Sequence, residues 1–433
     1  MPLNRRHFLA SAAALSVLPR AALASPAVLK AAAVTAQILP EEKNTTELLG
    51  FNGSTPGPEL RARVGDMLDV RFENAIGSGS AIHWHGIRIE NGMDGVPGLT
   101  QPLIEDGQGF DYSFRLPDAG TFWYHSHHRS WEQVERGLYG ALIVEEEDPP
   151  AVDHDITVIL DDWRIERDGT LVEDFGNRHD FSHAGRLGTF ARIIPSVDTV
   201  RRGDRVRLRI INTATARVFP LEIAGIIGKV VAYDGMPLLE PQDLDRGFLA
   251  PAQRMDIIAD VSDTVKFIFP TAQEPYELGD ITVEGENPTP STEPIAGLPQ
   301  PRITPPAKTP DQRLTLILQG GAMGGAHGGD DIWSFNGVSG LTDAPWHRFA
   351  RGQTVQITIV NDTSFPHGIH MHGHHFHELN EDGSLGAFRD TTLLMRQQTR
   401  EILCVFDNPG KWLLHCHMLE HQAAGMKTWL EVA

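Results

Sequence analysis

"RVGDMLDVRFEN", residues 63–74, is one of three similar stretches in the chain; the others are "RRGDRVRLRIIN" at 201–212 and "ARGQTVQITIVN" at 350–361. In each copy a glycine precedes a strand-like run that ends at an asparagine nine residues later. The three pairs are Gly65 and Asn74, Gly203 and Asn212, and Gly352 and Asn361. Repetition on this scale predicts three related domains.

The segments between these copies are also typical of β-structure. Short apolar or alternating runs, such as "ALIVEEE" and "DITVILDD", are separated by Gly, Pro, Asn and Asp, whereas long stretches with helical periodicity are few. We therefore predict an all-β protein built from sandwiches or barrels. The predicted divisions are a first domain at 36–147, a second at 148–283, a proline-rich linker at 284–310 and a third domain at 311–433.

Charge and the N-terminus limit the classes of partner and the compartment. The 433 residues carry a formal net charge of -20, and no long basic stretch follows the leader, which argues against nucleic acid or an anionic membrane as partner. The leader "NRRHFLASAAALSVLPRAALA" has paired arginines, a short apolar run and a small-residue exit. We predict a twin-arginine-type signal peptide over 1–24 and a periplasmic or secreted protein. The apolar run is too short to span a bilayer, so no membrane anchor is expected.

Histidines follow the repeated asparagine in two of the three copies. The residues at offsets of nine and eleven are His83 and His85 in "HWHG", and His370 and His372 in "HMHG". The middle copy has apolar residues at both offsets, in "LEIAG". The first and third domains therefore share a feature that the second lacks.

A second histidine pair links the same two domains. His125 and His127 in "AGTFWYHSH" begin five residues after a glycine, as do His415 and His417 in "PGKWLLHCH". Alternate strand residues point to the same side, so each His-x-His directs two imidazoles to one point. Eight imidazoles divided between two domains predict more than one metal ion at the interface between them.

The choice of metal follows from the ligand types. A structural zinc site closes at four ligands, and no carboxylate accompanies the histidines to suggest a bridged zinc pair or a non-haem iron site. Imidazole ligands alone suit copper well. Copper is therefore the favoured ion.

Cys416, one of only two cysteines, lies between His415 and His417. Cys404 stands in the apolar run "EILCVF" and is interpreted as a buried strand residue, although a Cys404–Cys416 disulfide is possible on paper. Cys416 with His421, Met426 and a further histidine, for which His367 is available, would form the trigonal His₂Cys site with a weak axial Met that is typical of blue copper. A nucleophilic cysteine is the alternative, but it requires a base and an orienting polar group rather than flanking histidines. In "HCH" the cysteine side chain points to the opposite face of the strand from His415 and His417. Its peptide bonds therefore connect the predicted blue copper site to the site formed by the eight histidines.

Four motifs carry a resemblance to a known family: "HWHG", "HSH", "HGIHMHGH" and "HCHMLEHQAAGM". The chain resembles the three-domain multicopper oxidases, which include laccases, bilirubin oxidases and bacterial copper efflux oxidases. The resemblance implies three cupredoxin-like Greek-key β-sandwich domains and four copper ions per chain. It implies type 1 copper at His367, Cys416, His421 and Met426; type 2 copper at His83 and His370; and a type 3 pair at His85, His125, His127, His372, His415 and His417.

The resemblance also implies a reaction. Single electrons enter from a reducing substrate at type 1 copper, follow the His-Cys-His path, and reduce dioxygen to water after four have arrived. His421 would face the substrate, and Asp94 in "MDGVPG" would relay protons, although an ordinary Asp-Gly turn is the alternative for Asp94. A monomer is expected.

The sequence departs from the family pattern at three places. Gly368 stands where a proline is common, Gln422 where many relatives have glutamate, and the segment "GGAMGGAHGGDD" (320–331) replaces a methionine-rich insert. Four further histidines lie beside the motifs and are interpreted as supporting or surface residues: His128, His374, His375 and His377.

Three functions stay open at this point. The first is laccase-like oxidation of phenols or aromatic amines. The second is a metallo-oxidase acting on Cu(I), Fe(II) or Mn(II) in metal tolerance. The third, against which the full ligand set argues, is a copper-free structural protein of the cell envelope.

Overall fold

A computed structural model describes residues 26–322 and 331–433. The predicted signal peptide and most of the 320–331 segment lie outside these ranges. Strands dominate the described part, confirming the all-β prediction. Its helices are short: α1 Ser130–Gln133, α2 Arg178–Ser182, α3 Leu419–Ala423 and one 3₁₀ turn, Asn91–Met93. None of these helices is long and apolar enough to span a membrane.

The first domain consists of two four-stranded sheets. Its strands are β1 Ala27–Ala36, β2 Thr46–Phe51, β3 Leu60–Arg63, β4 Met67–Ala75, β5 Ile82–His85, β6 Gly109–Arg115, β7 Gly120–Ser126 and β8 Tyr139–Glu145. The sheet orders are β2-β1-β4-β6 and β3-β8-β7-β5. The predicted boundary at residue 36 leaves out β1, which pairs in parallel with β4.

The middle domain forms one connected nine-stranded sheet. Its strands are β9 His154–Trp163, β10 Phe190–Pro195, β11 Thr199–Arg202, β12 Arg205–Asn212, β13 Phe219–Tyr233, β14 Met236–Asp243, β15 Gly247–Leu249, β16 Arg254–Phe269 and β17 Tyr276–Glu286. The main order is β10-β9-β12-β16-β13-β14, with β11, β15 and β17 joined at its sides. β17 continues three residues into the predicted linker, and the described residues from there to Gln312 contain no helix or strand.

The third domain again consists of two sheets, of six and five strands. Its strands are β18 Gln312–Gly320, β19 Trp333–Phe335, β20 His347–Phe349, β21 Gln353–Asn361, β22 His367–Met371, β23 Phe376–Leu379, β24 Leu385–Arg389, β25 Thr391–Leu394, β26 Thr399–Phe406, β27 Gly410–Cys416 and β28 Lys427–Val432. The orders are β19-β18-β21-β26-β23-β24 and β20-β28-β27-β22-β25.

The asparagine that ends each repeated strand has the same structural role in all three domains. The side-chain oxygens of Asn74, Asn212 and Asn361 accept a hydrogen bond from the backbone two residues ahead. Their amide groups donate to carbonyls four or five residues ahead and to a neighbouring loop. Each asparagine therefore closes an Asx-type turn, which explains its recurrence in the sequence.

The first and third domains share one core. Their buried apolar residues form a single cluster that runs from Leu29 in β1 to Val432 in β28, while the middle domain has a separate core around β12 and β16. The histidine-bearing strands also pair alike: His83 lies opposite His125 between β5 and β7, and His370 lies opposite His415 between β22 and β27. The shared core brings these two matching strand pairs together.

Candidate metal centre

Eight buried histidines meet between the first and third domains. Each His-x-His lies at or just beyond the end of β5, β7, β22 or β27, so both rings of a pair face the same space. We call them the histidine cluster: His83, His85, His125, His127, His370, His372, His415 and His417. The structure thus brings together all eight residues that the sequence singled out.

Rings from the two domains stack against each other across the cluster. The ring centroids of His83 and His372 are 3.9 Å apart, and those of His85 and His370 are 3.8 Å apart. Each stack pairs one ring from the first domain with one from the third. Neither domain alone can therefore form the cluster.

The possible ligand atoms divide the cluster into two triads and a pair. His85, His125 and His417 each offer a nitrogen within 4.8 Å of the others, as do His127, His372 and His415. The remaining two, His83 and His370, meet in a third group with His85. This division offers ligand sets for three ions, two with three imidazoles each and one with two.

The free nitrogens of the cluster fit bound metal. Buried polar atoms normally have hydrogen-bond partners. Within the described residues, however, one nitrogen or both have none in six of the rings: His83 Nε2, His85 Nδ1, His125 Nε2, His127 Nε2, His370 Nε2 and both nitrogens of His417. The Nε2 atoms of His372 and His415 lie 3.1 Å apart. Metal ligation accounts for one free nitrogen in each of these rings.

The opposite nitrogens of four rings are held by main-chain carbonyls. In each case Nδ1 lies within hydrogen-bond distance of an oxygen: His83 with Asp94 at 2.7 Å, His125 with Ser126 at 2.9 Å, His370 with Asp390 at 3.0 Å and His415 with Cys416 at 2.9 Å. A donated Nδ1–H fixes the tautomer and leaves the Nε2 lone pair for the metal.

Burial favours the neutral form of most of the cluster imidazoles. It is the main cause that lowers the pKa in seven of the eight: His85, His125, His127, His370, His372, His415 and His417. Nearby imidazoles lower the pKa of most of these rings further. Neutral rings retain the lone pair that a metal ligand requires.

Asp94 is fully buried and contacts the cluster twice. Its carbonyl holds His83, and its carboxylate oxygens lie 3.0 and 3.1 Å from His372 Nδ1. Gly95 follows with a φ of +85°, and a Cβ there would lie 1.8 Å from the carbonyl oxygen of Ile82. Asp94 and Gly95 therefore form a tight turn. This turn places the Asp94 carboxylate between the first and third domains.

Asp390, which the sequence analysis missed, contacts the cluster in a similar way. Its carbonyl holds His370, and its carboxylate Oδ1 lies 3.2 Å from His85 Nε2. The guanidinium of Arg254, from the middle domain, binds both carboxylate oxygens. Burial raises the pKa of Asp390, but Arg254 and His85 outweigh it and hold that pKa well below its usual range.

The second group of ligand-type side chains lies around Cys416. The cysteine Sγ is 3.6 Å from His367 Nδ1 and 3.8 Å from His421 Nδ1, and the two Nδ1 atoms are 3.1 Å apart. Met426 is fully buried in the same core cluster, and its carbonyl accepts from the backbone amide of Cys416. We call these four residues the cysteine site.

The two cysteines have different surroundings and are not joined. Both are free and buried. Cys404 lies in β26 and donates weakly to the carbonyl of His375, as expected for a small core residue. Burial raises the pKa of Cys416 to about 12, the opposite of what a nucleophilic thiolate requires. A soft metal ion, which deprotonates a coordinating thiol, suits this cysteine better.

His421 is covered by the middle domain, whereas the sequence predicted that it faces the substrate. Its side chain is fully buried, and Nε2 donates to the carbonyl of His183 at 2.7 Å. The Trp333 ring lies 4.3 Å away on another side. The half-buried rings of His183 and Phe365 contact each other, and Phe365 also contacts Trp333.

The remaining histidines and Gln422 stay outside both groups. His374 and His375 are buried, and His374 accepts from the backbone amide of Asn408. None of the ligand groups found among the described residues includes His128, His374, His375 or His377. Gln422 lies in α3, where its backbone amide donates to the carbonyl of Met418.

Comparison with known families gives the same picture over nearly the whole chain. Three family models described as multicopper oxidase match residues 32–149, 154–277 and 311–433. The multicopper oxidase MmcO of Mycobacterium tuberculosis is 30% identical, over 88% of this chain and 82% of that protein. The chain belongs to the multicopper oxidase family.

Two further relatives extend the comparison. The crystal structure of Lac15 from a marine microbial metagenome is 55% identical, with a TM-score of 0.83, and covers 94% of this chain and 100% of that one. Laccase-1 of Botryotinia fuckeliana is 29% identical, over 87% of this chain and 77% of that protein. The protein is thus a copper-dependent oxidoreductase with cupredoxin-like domains, and its histidine groups suit the family's four copper ions per chain.

Proposed function

We propose that this enzyme is a laccase-like oxidase of phenols or aromatic amines. Four substrate molecules each lose one electron, and one dioxygen gains four electrons and four protons to give two waters. The arrangement of Cys416, bonded through the main chain to His415 and His417, is the observation that carries this proposal. It connects a site for substrate electrons to a site for oxygen.

The ligand assignment follows the grouping of the side chains. His367, Cys416, His421 and Met426 would hold type 1 copper, and His83 with His370 would hold type 2 copper. The type 3 pair would take the two triads, His85, His125, His417 and His127, His372, His415. When bound, copper supplies the one-electron redox chemistry that imidazole and carboxylate groups lack.

The chain offers a short route between the two sites. His415 Nδ1 lies 2.9 Å from the Cys416 carbonyl oxygen, a hydrogen bond that adds a second connection to the peptide bond. Both flanking imidazoles belong to the cluster, one to each triad. Asp94 contacts His83 and His372 and would hold and deliver a proton during oxygen reduction.

Substrate would meet the enzyme at His183 and Phe365. The His183 carbonyl accepts from the buried His421, the His183 ring contacts that of Phe365, and Phe365 also contacts Trp333. An aromatic surface favours the flat rings of phenols and aromatic amines. The likeness to a protein named Laccase-1 supports a laccase-like function.

A metallo-oxidase is the second candidate, and it also rests on His183. The His183 ring stacks on that of the exposed His179 with centroids 4.1 Å apart. Two imidazoles at the electron entrance offer ligands to a reducing cation such as Cu(I). The metallo-oxidase hypothesis predicts that His179→Ala slows Cu(I) oxidation and leaves phenol oxidation unchanged.

Oxygen uptake by copper-loaded enzyme separates these proposals. Steady-state rates should be measured with a phenol, with Cu(I), and with the phenol plus a Cu(I) chelator. Phenol turnover that persists with the chelator supports the laccase-like function. Phenol turnover that stops when the chelator is present supports the metallo-oxidase, and a chain that binds no copper contradicts both.

We also propose that residues 1–24 direct export by the twin-arginine route and that the mature enzyme is a monomer. The first statement is tested by fractionating cells that make the protein with Arg5→Lys and Arg6→Lys. Without the arginine pair the protein should not be exported and should stay in the cytoplasm. Light scattering of the mature protein tests the second.

A further inference from the structure

Asp94 and Asp390 are arranged as counterparts across the histidine cluster. The carbonyl of each accepts from the type 2 histidine of its own domain, Asp94 from His83 and Asp390 from His370. The carboxylate of each contacts a type 3 histidine of the other domain. These contacts are Asp94 with His372 at 3.0 Å and Asp390 with His85 at 3.2 Å. Each aspartate therefore orients one ring on either side of the interface.

The two aspartates differ in what faces them. Arg254 donates to Asp390 with both terminal nitrogens, at 3.0 Å to Oδ1 and 2.6 Å to Oδ2. Within the described residues, no arginine or lysine lies within ion-pair distance of the Asp94 carboxylate. A forked, charge-assisted pair holds a carboxylate in one orientation more firmly than single bonds do.

Arg254 is itself fixed by all three domains. Its side chain is fully buried and also donates to the carbonyls of Thr121 in the first domain and of Ala252 and Asp234 in the middle domain. No donor of the guanidinium is left without a partner. The arginine therefore cannot shift without breaking contacts in more than one domain.

A glycine in the first domain makes room for this pair. Gly86 ends the motif "HWHG" with a φ of +87°, and a Cβ there would lie 2.3 Å from Arg254 and 2.7 Å from Asp390. The equivalent Gly373 in "HMHG" instead faces the ring of Trp412. The lack of a side chain at Gly86 therefore leaves the room that the Arg254–Asp390 pair occupies.

We propose that Asp390, clamped by Arg254 of the middle domain, is a positioning residue of the trinuclear copper site. It turns His85 and His370 so that their free nitrogens, Nδ1 and Nε2 respectively, face the cluster. The middle domain, which supplies no copper ligand, then contributes to copper retention through Arg254. This inference rests on the proposed assignment of His83 and His370 to type 2 copper.

Copper retention by two variants tests the proposal. Asp390→Asn removes the carboxylate charge, and Arg254→Lys keeps a positive charge but loses the forked contact. Each should weaken retention of trinuclear copper, type 2 copper included, about 10- to 100-fold, the effect typical of losing a partner of a ligand histidine. The carboxylate lies 3.2 Å from His85 Nε2 and 3.4 Å from His370 Nδ1, so both rings lose that partner. Copper per chain and the type 2 cupric resonance are followed during dialysis against increasing chelator. The blue absorbance of type 1 copper should remain.

Arg207→Lys is the matched control. Arg207 is an equally buried arginine of the same domain, paired with Glu146 and Asp256 and without a histidine contact among its hydrogen bonds. This variant should lose stability yet release type 2 copper at the chelator concentration that wild type requires. The proposal is overturned if Arg207→Lys loses as much copper as the test variants. It is also overturned if the test variants fold and retain copper as wild type does.

Failure of this inference is distinguishable from failure of the proposed function. If wild-type enzyme binds four coppers and oxidises a phenol while Asp390→Asn retains all four, only the positioning role is wrong. If Asp390→Asn does not fold, Arg254→Lys decides the result alone. A wild-type chain without blue absorbance would instead contradict the type 1 assignment.

Discussion

The loops "HSH" and "HCH" have the same backbone pairing and different chemistry. Ser126 lies opposite Ile82 in the first domain, as Cys416 lies opposite Ile369 in the third. Around Ser126, the oxygens of Ser80 and Gln133 complete a buried hydrogen-bond network, at 3.3 and 2.5 Å from its hydroxyl. Around Cys416, imidazole nitrogens of His367 and His421 take the corresponding space.

The difference lies in a few side chains on one scaffold. Ser80 precedes His83 by three residues, and His367 precedes His370 by three. In the first domain these positions hold a polar network that satisfies itself. In the third, His367 lies beside the soft Cys416 and His421, a set of side chains that could hold a metal. The comparison teaches that the cluster needs both domains, while the four proposed type 1 ligands all come from the third domain.

The largest expected effect comes from making the third-domain loop resemble the first. Cys416→Ser should abolish blue absorbance and substrate oxidation, because serine does not provide the thiolate that binds type 1 copper. The eight cluster histidines are unchanged, so most trinuclear copper should stay bound. Absorbance, copper content and oxygen uptake measure the three effects. Cys404→Ser is the control and should keep its colour; a coloured Cys416→Ser protein would show that the cysteine site is misassigned.

A smaller effect is expected from Asp94, which, unlike Asp390, has no arginine partner among the described residues. Asp94→Asn should slow oxygen reduction about 100-fold, the lower range for loss of a proton-transferring group. Substrate should reduce type 1 copper at the wild-type rate. This rate is measured in the absence of oxygen as the loss of blue colour. Asp118→Asn, which removes another buried acid, one paired with Arg88, controls for general damage. Equal slowing of both half-reactions by Asp94→Asn would contradict its role in oxygen reduction.

The smallest effect is expected in the first-domain loop itself. Ser126→Ala removes one hydroxyl from a network in which Gln133 still accepts from Ser80, so about 1 kcal/mol of unfolding free energy should be lost. Urea unfolding measures this loss. Blue absorbance and turnover should match wild type, and a change in colour would mean that this loop also contributes to the type 1 site.

The sequence predicts the parts of the centre that depend on local spacing. Period-two pairs and equal offsets from Asn74 and Asn361 are enough to assign His83, His85, His370 and His372 to matching positions of two domains. Asp94 follows from the family resemblance, which implies an acid eleven residues after the first type 2 histidine. All of these residues lie within one strand or turn of the repeated unit.

Long-range relations are the parts that the sequence does not reveal. Asp390 follows His372 by 18 residues, whereas Asp94 follows His85 by nine, because β23 and β24 are inserted in the third domain. No offset therefore relates the two acids. The cover over His421 comes from His183, more than two hundred residues away in the chain. Arg254 likewise reaches the cluster only through the packing of three domains.

Anomalous scattering at the copper edge from crystals of the loaded enzyme tests the central claim most directly. The account predicts four peaks: one among His367, Cys416 and His421, and three within the histidine cluster, each near the free nitrogens of its triad or pair. No peak should lie at Ser126. A peak in the first-domain loop, or a cluster that holds a single ion, would contradict the account.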